Sequence, residues 1–199
     1  MQSPRAHVIE KIVLLEHSMT QILGALLNID VASSVALGNK NASLPLFQKV
    51  QLIKELGITP DAISADIVML VEIRNKFAHV YEIDSFSEYF KRLPSTEQKS
   101  KKAKFLTNFN QDTTSSDEEV ILSSCFDLLC LKVGLWLNAE LKNATDKLIV
   151  QDKKDYVIEE IRSFDHEKHS LEHLLETTKN VVKEIPINET FYNPLPENN

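Results

Sequence analysis

The chain has 199 residues, 43% hydrophobic and 26% charged, with a formal net charge of −7. That length suits one domain or one domain with appendages, and it can bury a sizeable core. Four glycines and seven prolines are too few for a hairpin-rich sandwich or barrel, no two glycines lie close enough for a phosphate-cradling loop, and the acidic balance leaves nucleic-acid binding only to a local basic patch.

Composition therefore predicts an all-α protein, and the periodicity agrees. Residues 5–29 place Val8, Ile12, Leu15, Met19, Ile22 and Leu26 at steps of three and four, as a helix with one broad buried face does. Residues 30–43 read as a loop. A second helix is predicted over 44–56 through Leu46, Phe47, Val50 and Ile53, with Gly57 as its C-terminal cap. Thr59 and Pro60 suit the N-cap and first position of a third helix, which runs through Ile63, Ile67, Leu70 and Ile73 to Phe77 and His79. Phe86, Tyr89 and Phe90 mark one brief helix.

Residues 93–118 are polar and carry no period, so they are expected to form an exposed loop. Ser116 and Glu119 then form a capping-box pair at the start of a helix through Phe126, Leu129 and Trp136 to about Leu141. That helix is apolar on nearly all sides, which predicts a central buried position. Residues 1–145 are thus expected to form the bundle, 146–184 a helical extension and 185–199 an extended, proline-containing tail.

Cys125 and Cys130 lie in an apolar run at a spacing that fits buried free thiols of a reducing compartment. The N-terminal stretch lacks the uncharged core of a signal peptide, and no run of eighteen apolar residues is free of charge. The expectation is a cytoplasmic chain with no membrane span.

The end of the third helix carries the chemistry: Glu72-Ile73-Arg74-Asn75-Lys76-Phe77-Ala78-His79-Val80-Tyr81. Arg74 offers a donor fork matched to phosphate. Asn75 donates and accepts, and His79 exchanges a proton near neutral pH. Asn75 and His79, at i and i+4, share a helix face, whereas Arg74 and His79 stand about 140° apart. The same three residues equally suit a structural role, with Arg74 and Asn75 bonding helix ends and His79 serving the last carbonyls. Glu72 is placed to pair with Lys76.

Arg74-Asn75-x3-His79 resembles the R-x4-6-H signature of the HEPN superfamily. The wider pattern resembles its mannitol operon repressor-like branch: Leu46 to Ile58 with a Leu56-Gly57 turn, then Arg74-Asn75-Lys76-Phe77-Ala78-His79, then Ser85-Phe86. The resemblance spans about residues 44–90, and more loosely 117–141. It implies an all-α, HEPN-like bundle and a homodimer in which two Arg-His sets face each other. It also implies metal-independent RNA cleavage by the 2′-OH, in the manner of toxins and phage-defence effectors. His79 would be the acid–base residue, Arg74 the holder of the scissile phosphate and Asn75 a positioning group. Tyr81 completes a pattern in which some HEPN toxins accept nucleotides from an antitoxin partner; a Tyr packed at the helix end is the plainer alternative. The named branch is regulatory, so a non-catalytic regulator or protein-interaction module competes with the ribonuclease.

Residues 91–104 carry six basic residues against Glu97. Lys99, Lys101, Lys102 and Lys104, with Phe105 and Phe109 after them, suit contacts to RNA phosphates and bases, or an ordinary solvated surface. His166, His169 and His173 share one side of a helical stretch, but no zinc-protease motif accompanies them. Neither a cofactor nor a metal is expected.

Overall fold

The computed structural model describes residues 3–38, 42–109 and 117–162, together with 176, 179 and 180. All six elements among the described residues are helices: α1 (Pro4–Leu27), α2 (Leu46–Glu55), α3 (Asp61–His79), α4 (Phe86–Lys91), α5 (Ser95–Phe109) and α6 (Glu118–Arg162). The all-α expectation holds. The chain divides into two compact units, Met1–Lys142 and Asn143–Asn199.

Local rules set most helix ends. Ser3 Oγ accepts from the Ala6 amide at 3.2 Å, and Pro4 occupies the first position of α1. Gly57, at φ +73°, follows the end of α2 in the left-handed conformation that a Cβ would strain. Two predicted caps differ. Pro60 rather than Thr59 precedes α3, and no side chain caps that end. Asp117 takes the place foreseen for the Ser116–Glu119 pair at the start of α6: its Oδ1 accepts from the Glu119 amide at 2.9 Å. Ser116 lies outside the described residues.

The core of the first unit joins Val8, Met19 and Ile22 of α1, Ile53 of α2, Ile67, Ile73 and Phe77 of α3, and Leu122, Phe126, Leu129 and Val133 of α6. Aromatic rings extend it. Phe77 meets Phe86 at 5.2 Å between centroids, Phe86 meets Phe126 at 5.3 Å, and Phe90 meets Phe105 at 5.5 Å. Cys125 and Cys130 are free and buried; burial first, then the Asp127 charge, pushes the Cys130 thiol up to about 12, so it stays protonated at neutral pH.

Three expectations need correction. The stretch 93–118 is not a loop throughout, because 95–109 forms α5. Its Glu, Gln, Lys and Ala residues are good helix formers, but Phe105 is its one fully buried side chain among the described residues, so the stretch shows no apolar period. Helix α6 is not buried on all sides: Leu131 and Leu135 are 55% and 61% exposed, opposite the face that enters the core. Phe47, read as core in α2, is also exposed, while Lys49 is buried. By length and apolar composition, α6 is the one described helix that would suffice to cross a membrane, a test that a core helix of this kind also meets.

The second unit is described mainly as the helical residues 143–162, with Gln151 donating to Asp155 one turn later at 2.9 Å. The predicted helix beyond 162, apart from isolated positions, and the tail 185–199 lie outside the described residues.

If α5 is docked through Phe105, Phe105→Ala should cost ~3–5 kcal/mol. Chemical denaturation and limited proteolysis within 95–109 check this; a change below ~1 kcal/mol would mean the segment is held by nothing but its own helix.

Candidate functional site

Helix α3 ends at His79, where the Val80 backbone turns extended. The carbonyls released there are gathered by one side chain from the start of the sequence. Arg5 Nη2 donates to Val80 O at 3.0 Å, Tyr81 O at 2.8 Å and Ile83 O at 3.0 Å, and lies 3.4 Å from Asp84 Oδ1. Glu119 secures the far side of the same connection: its two carboxylate oxygens accept from the Phe86 and Ser87 amides at 2.7 and 2.9 Å. The exit from the Arg-Asn-His stretch is therefore clamped to both α1 and α6.

Asn75 and His79 are exposed and line one cavity of about 480 Å³ with Lys76, Leu93, Pro94 and Lys101. This is what their i, i+4 spacing predicts. Arg74 is half-buried and is not among the lining residues, but its Nη1 donates to Asn75 Oδ1 at 3.2 Å. The structure thus links all three residues, two directly at the cavity and Arg74 through Asn75. Tyr81 is 88% exposed, so the packed alternative for its side chain does not hold.

The four lysines of the basic stretch go to different places. Lys101 reaches the His79 cavity, where it pairs with Glu97 at 2.9 Å and Glu72 at 3.4 Å. Glu97 first, then Glu72, holds the Lys101 ammonium above its ordinary value. Lys102 pairs with Glu118, and Lys104 lines a second cavity. Lys99 is exposed. Neither Lys99 nor Lys104 has an ion pair among the described residues. Phe105 is core rather than a base-stacking platform, and Glu72 pairs with Lys101 instead of Lys76.

Sequence reasoning gave Glu72 the wrong partner and Glu97 none. Glu72 and Glu97 come from α3 and α5, and only the docking of α5 brings them to one lysine. It also missed the pairing of buried Lys49 with half-buried Glu16, 2.9 Å apart between α2 and α1. No cluster of three or more His, Cys, Asp or Glu suited to a metal exists among the described residues. His166, His169 and His173 lie outside them.

Comparison of the chain with protein-family models, with curated proteins and with solved structures gives no match, so what the site does is argued from its residues alone.

Two measurements test this geometry. Removing the Arg5 guanidinium leaves three carbonyls without their charged donor, so Arg5→Ala should cost ~1–3 kcal/mol. Arg5→Lys should recover only part of that, because a flexible, more strongly hydrated ammonium is held less readily against three carbonyls than the guanidinium. Melting of both variants checks it; no loss in Arg5→Ala would show that the clamp is dispensable.

The Lys102 hydrogen bond holds the Glu118 carboxyl below its ordinary value. A carboxylate with a lowered folded-state pKa stabilises above its unfolded-state pKa and loses that contribution as pH falls through the folded value. Glu118→Gln should therefore cost ~0.2–1 kcal/mol at pH 7. The difference should vanish in acid, which melting across the acidic limb reads; a constant difference at every pH would contradict it.

Proposed function

We propose that this chain is a cytoplasmic HEPN-type endoribonuclease that needs no metal, works as a homodimer and serves as a toxin or phage-defence effector. The observation that carries the reading is the opening of Asn75 and His79 onto one cavity, with Arg74 tied to Asn75 behind them. The chemistry needs no more than these groups twice over. One His79 imidazole takes the 2′-OH proton as that oxygen attacks phosphorus. The phosphorus–O5′ bond breaks, and the second copy's His79 gives a proton to the leaving oxygen, producing a 2′,3′-cyclic phosphate and a 5′-OH. Arg74 offsets the charge that builds on the phosphate oxygens, and Asn75 positions it.

Two features support a dimer. Leu14, Leu131 and Leu135 are more than half exposed on α1 and α6, apolar surface that a second copy would cover. A single His79 also provides only one of the two proton transfers. The same exposed leucines favour a second reading, a non-catalytic regulator or interaction module that uses them to hold a partner protein.

RNA cleavage in the presence of a chelator separates the two. Wild type should cut, and His79→Ala and Arg74→Ala should each lose ~10²-fold or more. Stability should stay within ~0.5 kcal/mol for His79→Ala, whose side chain is exposed. Lys99→Gln/Lys104→Gln should flatten the salt dependence of RNA binding by ~0.7 for each phosphate no longer neutralised. No cleavage by wild type, or equal cleavage by His79→Ala, would overturn the ribonuclease and leave the interaction module.

A further inference from the structure

A second cavity, of about 460 Å³, lies between α3, α4 and α5, with Lys54 of α2 at its edge. Its volume falls within the ~300–1,000 Å³ of small-molecule sites. The walls are apolar: Val68, Met69 and Ile73 from α3, Phe90 from α4 and Phe105 from α5. The Glu72–Lys101 pair borders both this cavity and the one lined by His79.

The ammonium groups at this cavity are not all held by carboxylates. Lys101 is committed to Glu97 and Glu72. Lys54 and Lys104 are exposed, line the cavity from different helices and have no ion pair among the described residues. Of the two carboxylates in the lining, Glu72 shares Lys101 with Glu97, and Asp61 sits in the first turn of α3, where the helix N-terminus offsets part of its charge. Two ammonium groups over an apolar chamber thus have no carboxylate bonded to them among the described residues, and Asp61 is the one acid of the lining left to share between them.

We propose that this cavity binds a small amphipathic carboxylate: an apolar body of roughly a dozen carbons against Val68, Met69 and Phe105, and one carboxylate held by Lys54 and Lys104. Apolar surface supplies the burial, and the two ammoniums select the sign of the head group. The two cavities share Glu72, Tyr89 and Lys101, and Lys104 is also a proposed RNA contact, but Val68, Met69, Phe105 and Lys54 line only this one, so binding measured without RNA stands apart from RNA cleavage.

Calorimetric titration of the full chain, without RNA, tests it with two probes that share a chain length, sodium dodecanoate and dodecyltrimethylammonium bromide, both below micelle formation. Dodecanoate should bind at one equivalent, and the cationic probe should bind at least tenfold more weakly. Lys54→Gln/Lys104→Gln, at two exposed positions, should weaken dodecanoate at least tenfold. Val68→Trp, which fills the chamber from a position 42% exposed, should abolish saturable binding. Equal binding of the two probes, an unchanged affinity in the double-lysine variant, undiminished binding in Val68→Trp or no saturable binding by wild type would each overturn the proposal.

Discussion

The rest of the candidate site depends on one guanidinium. Helix α3 must end somewhere, and the carbonyls of the turn beyond it need donors that the helix does not supply. Arg5 provides them from the first turn of α1, 75 to 78 residues away in sequence. Water would satisfy the same carbonyls but would not fix where the chain goes next. With the exit held, Ile83 and Phe86 turn inward and the side chains of Asn75 and His79 are left facing out on the last turns of a rigid helix.

The clamp has a second jaw. Glu119, at the start of α6, receives the first amides of α4, where a carboxylate also meets the positive end of the helix. Between these two contacts the chain from Val80 to Ser87 is tied at both ends by charged hydrogen bonds, the stronger kind. The aromatic series Phe77, Phe86 and Phe126 fills the space beneath, so polar fixation and apolar packing converge on the same eight residues. A position set from two sides is what a group that must meet a reacting atom requires.

Electrostatics explains why an acidic chain retains basic ground. Lys101 and Lys102 are spent internally on Glu72, Glu97 and Glu118, which seats α5 beside α3 and α6. Lys54, Lys99 and Lys104 are not spent, and they stand where a soluble anion can reach them. The basic run is therefore two kinds of residue in one helix, some that dock it and some that remain available.

The sequence by itself determined the helical class, most helix positions, the left-handed Gly57 and the sharing of one face by Asn75 and His79. Each of these follows from local periods and caps, which involve residues at most a few positions apart. Tertiary structure alone decided that 95–109 is a docked helix, since one deep residue among those described, Phe105, makes no pattern. It decided that Glu119 serves α4 rather than its own N-terminus, that Lys101 and not Lys76 answers Glu72, and that Arg5 closes the end of α3. It also left Leu131 and Leu135 in the open, because an apolar helix is buried only as far as it has neighbours. Partner choice between residues tens of positions apart depends on how helices pack, and packing is a property of the whole core rather than of any window of sequence.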